Sequence, residues 1–320
     1  MNKTERMTTK KKINISKFSN LLILMTVIIM LSFLQPAFLS INNLINVIRQ
    51  ISFIAIIAMG VLPALITRGM DLSLGSIVGL VSVVVASVCH PDQFPLIITV
   101  LVGVLVGSII GLCNGVMISV ANIPAFITTL STCTIVRGFA MLYSDGKTIS
   151  DLKDEFVFWG SGKIFGIPTP ILVLFVVTLF TYVLLNYTQF GRHIYAIGGN
   201  PNSAEVAGIN VKKVQILVYI YAGIMAAISG MVLTARVRSG QPGLGNGFEL
   251  DAIAAAVIGG TSLSGGIGTV GGTLIGALLI GVINNGLELL GLNTYWQSVA
   301  KGIIIALAVF ADQLRNRKRV

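Results

Sequence analysis

The stretch PLIITVLVGVLVGSIIGLCNGVMISV, residues 95–120, decides the fold class because it contains no charged residue. A transmembrane helix needs about 20 consecutive apolar residues, so this stretch is long enough to cross a bilayer. Its glycines recur every fourth residue, at Gly103, Gly107, Gly111 and Gly115, and therefore share one helix face that a second helix can approach closely. Packing within one chain is the simplest interpretation, while a contact between subunits or a face lining a pathway stays open.

The composition of the whole chain also indicates a membrane protein. Of its 320 residues, 54% are hydrophobic and 11% are charged, against about 25% charged residues in ordinary soluble domains. This composition excludes a soluble globular enzyme, a disordered chain and a secreted disulfide scaffold. The net charge of +10 is better explained by basic residues that set orientation in a bilayer than by nucleic-acid binding.

Apolar stretches recur along the chain and predict an all-α, polytopic integral membrane protein with about ten transmembrane helices. The predicted spans are Phe18–Leu34, Ile51–Thr67, Gly75–Val88, Pro95–Val120, Pro124–Tyr143, Ile167–Tyr187, Val214–Ala235, Leu250–Leu263, Thr269–Leu290 and Tyr295–Ala311. The stretch Leu250–Leu263 is short and rich in Ala, Gly and Ser, so it predicts either a buried helix or a broken one.

Basic residues predict which side of the membrane each connection faces. With ten spans, 14 of the 22 Lys and Arg residues fall on the side of the two termini. The opposite connections hold six, which are Arg49, Lys147, Lys153, Lys163, Arg236 and Arg238. Because basic residues concentrate in cytoplasmic segments, we expect both termini to be cytoplasmic. Arg137 and Lys301 fall inside spans and are interpreted as residues that snorkel to the interface.

Residues for catalysis, nucleotide binding or metal binding are missing from the sequence. Gly146-Lys147-Thr148 resembles the end of a phosphate-binding loop, but Met141 stands where the first glycine is required. No nucleophile, base and orienting group form a catalytic set, and the three Cys and two His have no metal-ligand spacing. We therefore expect a chain that is not an enzyme, holds no cofactor or metal, and takes its energy from a partner.

The connection over residues 188–213 predicts a short helix with a cap at each end. Asn200 is a good N-cap, Pro201 suits the first helical position, and Gly208 suits the left-handed residue that ends a helix. Small side chains leave room for a partner's groove to close over this helix, although a helix packed on its own protein is the alternative. The candidate coupling residues are Asn200, Pro201, Ser203, Ala204, Ala207 and Gly208.

Several motifs resemble those of the membrane permease subunit of ribose-type ABC sugar importers, the binding-protein-dependent monosaccharide permeases. These motifs are GMDLSLGS at 69–76, NIPAF at 122–126, GRHIYAIGGN at 191–200, ELDAIA at 249–254, GGTSLSGG at 259–266 and NNGL at 284–287. The resemblance extends over residues 40–312. Gly69 matches a common family position, whereas Arg68 before it is less usual, and no function is assigned to it.

The resemblance implies a complex in a bacterial-type plasma membrane, surrounded by lipid. Its expected partners are a second permease copy, a cytoplasmic ATP-binding subunit that carries the ATP, and an extracytoplasmic sugar-binding protein. The short helix at residues 200–208 would be the coupling element. A stand-alone secondary carrier or channel is the alternative, and a membrane-embedded enzyme comes third for want of catalytic residues.

A sugar pathway needs hydrogen-bond partners and apolar surfaces that hold the solute weakly. Candidate pathway residues are Asn122, Phe126 and Thr129 on one side and Asn284 and Asn285 on the other. The alternative is that these amides hold helices together. Around this pathway we expect a basic cytoplasmic tail at 1–17, a transmembrane permease domain at 18–312 and a basic cytoplasmic tail at 313–320.

Overall fold

Long apolar stretches fold into helices in lipid because a helix satisfies its backbone hydrogen bonds within one segment. The structure, a computed structural model, describes residues 15–91 and 94–317. The helices of these residues are α1 (Ile15–Leu34), α2 (Ile41–Ile66), α3 (Leu74–Val88), α4 (Leu96–Ser119), α5 (Ala125–Ser144), α6 (Asp154–Ser161), α7 (Thr169–Tyr187), α8 (Gln189–Gly199), α9 (Pro201–Val206), α10 (Val211–Val237), α11 (Phe248–Ile258), α12 (Val270–Leu289) and α13 (Thr294–Arg317). A 3-10 turn covers Pro36–Leu39, and a small antiparallel hairpin pairs β1 (Lys163–Ile164) with β2 (Ile167–Pro168).

Six of the described helices are long and apolar enough to cross a membrane. They are α2, α4, α5, α7, α10 and α12. Shorter apolar segments occur at Asn20–Leu34 of α1 and in α3. The predicted all-α, polytopic membrane architecture is therefore confirmed.

Glycine faces bring the longest helices into direct backbone contact. Helix α4 carries the four-residue glycine repeat, and this face packs against α10 in the most extensive helix pair of the described chain. A Cβ added at Gly107 would collide with the carbonyl oxygen of Gly223, and one added at Gly223 would collide with that of Gly107. The repeat thus serves packing within one chain, as its simplest interpretation predicts.

The predicted span Leu250–Leu263 is not a complete transmembrane helix. Helix α11 has 11 residues, so it is about 16 Å long and covers roughly half of the hydrocarbon thickness of about 30 Å. Residues 239–247 before it contain turns but no helix, and the helix already ends at Ile258. Both alternatives hold: residues 251–257 of α11 are buried, and the segment is broken because glycine-rich sequence flanks a helix too short to cross by itself.

Arg137 supplies hydrogen bonds to this irregular backbone. Its guanidinium donates to the carbonyl oxygens of Pro242 (2.6 Å) and Leu244 (3.1 Å), and to that of Gly75 in α3 (3.0 Å). Buried carbonyl groups without partners are costly in lipid, so a half-buried arginine beside them is stabilising. The interpretation of Arg137 as a snorkelling residue is wrong, because its charge binds protein backbone.

Two groups of connections lie at opposite ends of the bundle. Helix α10 has 27 residues and is about 40 Å long. Just beyond its carboxyl end, Gly240 pairs with Ile149 of the connection between α5 and α6, and we call this the 150-loop end. Helices α8 and α9 precede its amino end, and we call this the 200-loop end.

The start of α2 differs from the predicted boundary. The helix begins at Ile41 rather than Ile51, with the hydroxyl of Ser40 as its cap. Arg49 therefore lies within a helix and not in a connection. Arg236 likewise lies within α10, so the outer connections keep four of the six basic residues assigned to them.

The predicted tails are described only in part. Residues 1–14 and 318–320 lie outside the described residues. Helix α1 already begins at Ile15 and α13 continues to Arg317, so helix extends into both predicted tails.

Candidate functional site

Helix α9 begins with the predicted cap. The side-chain oxygen of Asn200 accepts a hydrogen bond from the amide of Ser203 (3.1 Å), and Pro201 occupies the first turn. The cap satisfies an amide that has no partner inside the helix, and proline has no amide to satisfy. The amino end of this short helix is therefore fixed in position.

The carboxyl end of α9 is fixed equally well. Gly208 has φ of +85°, in the left-handed region. The amide of Gly208 donates to the carbonyl oxygen of Glu205 (2.9 Å), and the amide of Ile209 donates to that of Ala204 (3.1 Å). This pair of reversed bonds is the Schellman ending that a glycine at this position predicts.

The exposed face of α9 differs from the predicted one. Ala204 is only 4% exposed and packs against its own chain, so the expectation that it lies open to a partner is wrong. Ser203 and Ala207 are exposed. Val206, which is not among the predicted coupling residues, is 90% exposed. Val206 lies two residues after Ala204, and two residues turn a helix by about 200°. The two side chains therefore lie on opposite faces, with Ala204 buried and Val206 exposed.

Helix α8, which is not among the predicted helices, supports α9. The hydroxyl of Thr188 caps it by accepting a hydrogen bond from the amide of Gly191 (3.1 Å). Ile194 and Ile197 are fully buried, and the helix packs on α7, α2 and α10. The threonine cap and the three-residue apolar spacing were the available signals. Since Asn200 directly joins α8 to α9, no flexible linker separates the two helices.

A buried polar cluster lies where α2 stops and α3 begins. The carboxylate of Asp71, fully buried, accepts hydrogen bonds from the amide (2.9 Å) and hydroxyl (2.6 Å) of Ser73. Asn114 of α4 donates to the same hydroxyl (2.9 Å), and the hydroxyl of Thr129 of α5 lies 3.2 Å from the carbonyl oxygen of Met70. The connection between α2 and α3 is thus tied to two other helices.

The five predicted pathway residues do not form a single cluster. Asn122 and Phe126 are exposed near the start of α5, while Thr129 is buried. Helix α5 packs on α3 and α4. Helix α12, which carries Asn284 and Asn285, packs on α1, α2 and α11 instead. The structure therefore separates the two predicted sides of the pathway.

Asn285 has a partner within the chain. Its amide exchanges two hydrogen bonds with the amide of Asn43 on α2, with nitrogen–oxygen distances of 2.9 and 3.0 Å. The side chain is buried and both amides are occupied. This geometry favours the alternative in which this asparagine holds two helices together.

Asn284 lines a small cavity beside a buried ion pair. The ammonium of Lys301 donates to the carboxylate of Asp251 at 2.7 Å, and the Asp251 side chain is only 3% exposed. Lys301 therefore does not snorkel, because its charge is paired inside the protein. The remaining walls are Ala254, Ile280, Ile283 and Ile304. The cavity has a volume of about 10 Å³, room for about one water molecule, so it brings an amide, an ion pair and aliphatic walls together without holding a sugar in this structure.

Hydrogen bonding and charge pairing are the chemistry available at these sites. Among the described residues, no group of three or more His, Cys, Asp or Glu side chains could hold a metal ion. The three cysteines are free, with Cys89 buried, Cys113 exposed and Cys133 intermediate.

Comparison with known proteins identifies the family. The family described as "Branched-chain amino acid transport system / permease component" matches residues 43–309. The chain is 42% identical to the ribose import permease protein RbsC of Bacillus subtilis, over 98% of this chain and 99% of that protein. It is 41% identical to RbsC of Haemophilus influenzae over 93% of both chains. It is 39% identical to the galactose/methyl galactoside import permease protein MglC of Escherichia coli, over 93% and 94% of the two chains.

No solved structure matches the chain. The family match and the relatives cover the capped helix α9, the polar cluster and the broken segment around α11. They confirm the resemblance that the sequence motifs indicate, and they agree with the multi-pass helical fold. The chain belongs to this family: it is a membrane permease component of a transport system and not an enzyme.

Proposed function

We propose that the chain forms the membrane pathway of an ATP-driven importer for a monosaccharide, with ribose or a related pentose as the first candidate. The observation that carries this proposal is 41–42% identity to proteins named ribose import permeases, over more than nine-tenths of both chains. The galactose permease at 39% identity supports a sugar as the substrate class. The family description names branched-chain amino acids, which therefore serve as the competing substrate in the experiment below.

The proposed complex contains two copies of this chain, an ATP-binding subunit in the cytoplasm and a sugar-binding protein outside. Ten crossings place both termini and the 200-loop end in the cytoplasm, and the 150-loop end outside. The support is the distribution of basic residues, 14 of 22 on the side of the termini. The broken segment 239–258 counts as one crossing, since it begins at the carboxyl end of α10 and leads to the start of α12.

Helix α9 is the proposed docking element for the ATP-binding subunit. It is capped at both ends, and it exposes Ser203, Val206 and Ala207 together. A valine that is 90% exposed on a rigid helix gives a partner groove an apolar contact at its centre. Ala204 contributes from the inner side, where it fixes α9 to its own chain.

Reconstitution in proteoliposomes tests the proposed function. The chain, its ATP-binding subunit and its sugar-binding protein should import radiolabelled ribose only when ATP is supplied to the cytoplasmic face, and leucine should not enter. Leucine uptake without sugar uptake would mean that the substrate class is an amino acid and not a sugar. Ribose uptake without the ATP-binding subunit would favour the secondary-carrier alternative.

Asn284 is the proposed pathway residue to be tested on α12. It borders a small cavity together with Asp251 and Lys301, whereas Thr129 and Asn285 already have partners within the chain. Asn122 and Phe126, exposed near the start of α5, are proposed as a second contact region. Asn284→Ala should reduce sugar uptake at least tenfold while the complex still assembles. The control is Asn186→Ala, an exposed asparagine of α7, and wild-type uptake by Asn284→Ala would remove Asn284 from the pathway.

A further inference from the structure

Arg68 adopts a backbone conformation that arginine rarely takes. It stands two residues beyond the end of α2, with φ of +64°. This left-handed region is open to glycine at no steric cost but is unfavourable for a residue with a Cβ. The backbone therefore gives no reason for an arginine at this position, and the reason must lie in its side chain.

The guanidinium of Arg68 holds the carboxyl end of α8. Its Nε donates to the carbonyl oxygen of Gly198 (2.9 Å) and its Nη2 donates to that of Gly199 (2.6 Å). These are the last two residues of α8, whose terminal carbonyls have no partners inside the helix and carry partial negative charge. The planar fork of arginine presents two N–H donors side by side to two neighbouring acceptors, whereas lysine presents a single ammonium at the end of a flexible chain. The next residue, Asn200, is the cap of α9.

We call the contact among Arg68, the carboxyl end of α8 and Gly265–Gly266 the joint; its backbone segments are closely packed, although the Arg68 residue itself is exposed. The amide of Gly266, in the connection between α11 and α12, donates to the carbonyl oxygen of Ile66 (2.8 Å). A Cβ added at Gly198 would collide with that same oxygen, and one added at Gly265 would collide with the Arg68 side chain. The ends of α2 and α8 and the connection after α11 thus meet in close contact.

A short connection links this joint to the buried polar cluster. Arg68 is three residues before Asp71, and the amide of Gly69 donates back to the carbonyl oxygen of Ala64 (2.8 Å). The backbone is therefore held by a hydrogen bond directly where it leaves α2. Beyond Arg68, Met70 and Asp71 take part in the contacts with α4 and α5 described above. Hydrogen bonds and the short backbone from Arg68 to Asp71 therefore connect α8 and α9 to the buried polar cluster.

We propose that Arg68 is a positioning residue that transmits movement of α8 and α9 to the connection 67–73 and its polar cluster. The inference rests on the proposed coupling role of α9. When the ATP-binding subunit displaces α9, the terminal carbonyls of α8 move the guanidinium, and the short connection carries that movement to Asp71. Without the guanidinium, the contact between α8 and the connection 67–73 loses two charge-assisted hydrogen bonds. This contact then deforms and does not transmit the movement of α8.

Two substitutions separate the side chain from the backbone. Arg68→Gly removes the guanidinium but suits the left-handed conformation, so it should insert and assemble normally. Arg68→Gln keeps a Cβ and loses the charge. The matched control is Arg192→Gln, which removes the charge of an exposed arginine on α8 itself. All variants are purified with the ATP-binding subunit and reconstituted with the sugar-binding protein.

The measured quantity is the number of ATP molecules hydrolysed per sugar imported, together with co-purification of the ATP-binding subunit. We expect both Arg68 variants to retain the subunit and to hydrolyse ATP, but to use at least fivefold more ATP per sugar than wild type. Arg192→Gln should behave like wild type. An unchanged ratio in Arg68→Gly would overturn the inference, and so would loss of the subunit or of membrane insertion in both Arg68 variants, since the role would then be structural.

Val206→Asp distinguishes failure of the inference from failure of the proposed docking role. It places a charge on the exposed face of α9 and should abolish co-purification of the ATP-binding subunit. If Val206→Asp loses the subunit while Arg68→Gly couples normally, only the transmission by Arg68 is refuted. If Val206→Asp binds the subunit and transports normally, α9 is not the docking element, whatever the Arg68 variants do.

Discussion

At the scale of single residues, charged side chains inside this protein bind partners that are distant in sequence. Arg137 binds backbone carbonyls more than one hundred residues away, and Lys301 pairs with Asp251, fifty residues before it. An isolated charge is costly in a bilayer, so each such residue needs protein partners to offset its desolvation. Charged residues within apolar stretches therefore mark positions where distant segments of the chain are held together.

Arg137 gives the clearest prediction at this scale. Arg137→Met leaves three carbonyl oxygens without their donor, at Gly75, Pro242 and Leu244. Hydrogen bonds to a charged group contribute about 1.5–3 kcal/mol each to stability, and relaxation recovers part of that, so we expect a loss of roughly 2–4 kcal/mol. A thermal-melting assay of the purified protein should show a clearly lower midpoint.

Two controls accompany the Arg137 measurement. Arg137→Lys keeps the charge but has no planar fork, and its melting midpoint should lie between those of wild type and Arg137→Met. Lys147→Met removes an exposed lysine that pairs with Asp145 in solvent, and it should change stability little. An Arg137→Met protein as stable as wild type would show that the segment 239–247 finds its hydrogen bonds elsewhere.

At the scale of elements, the short helices are defined by their ends and not by their length. Helix α9 has six residues, too few to be stable alone, and it persists because Asn200 and Gly208 satisfy its terminal groups. Helix α11 is also short, and its fixed position comes from packing on α12 and α2. A partner protein that moves can displace such a helix as one unit, whereas a frayed loop would deform and would not pass the movement on.

Gly208 tests the importance of the α9 ending. No atom lies within 4 Å of a Cβ added there, so the cost of Gly208→Val is conformational and not steric. A side chain in left-handed geometry costs about 1–2 kcal/mol, enough to loosen the last turn of α9. We expect ATP-dependent uptake to fall severalfold while dimer formation and membrane insertion are unchanged.

Gly271 provides the matched control for that experiment. It is exposed in the first turn of α12 with equally open space around its Cβ, but its φ is not in the left-handed region. Gly271→Val should therefore transport at nearly the wild-type rate. Equal uptake by both variants would mean that the ending of α9 does not contribute to coupling.

At the scale of the whole molecule, α10 holds two ends with different structural elements about 40 Å apart. The 150-loop end carries α6, the hairpin of β1 and β2, and the pairing of Ile149 with Gly240. The 200-loop end carries α8, α9 and the joint at Arg68. In the proposed complex each end serves a different partner, one outside the cell and one inside.

Reporter fusions test the proposed orientation. A cytoplasm-active reporter at Val320 should be active, and the same reporter inserted at Gly146, an exposed glycine in the 150-loop end, should be inactive. An export-dependent reporter should give the opposite pattern. If both positions report the same side, the number of crossings between them is even, and the model of ten crossings fails.

The sequence by itself determined the helical membrane fold and the caps of α9. Both depend on local chemistry. An apolar stretch of sufficient length must form a helix in lipid, and Asn200, Pro201 and Gly208 act on backbone groups within a few residues of themselves. The family resemblance was equally readable, because its motifs are contiguous stretches.

Only the tertiary structure decided which side of α9 is exposed, where Arg137 and Lys301 direct their charges, and why Arg68 is tolerated at positive φ. Each answer depends on a segment distant in sequence: the chain beneath Ala204, the irregular backbone at residues 239–247, and the carbonyls that end α8. Local pattern cannot reveal such partners. Their hydrogen bonds and burial exist only once the helices have packed.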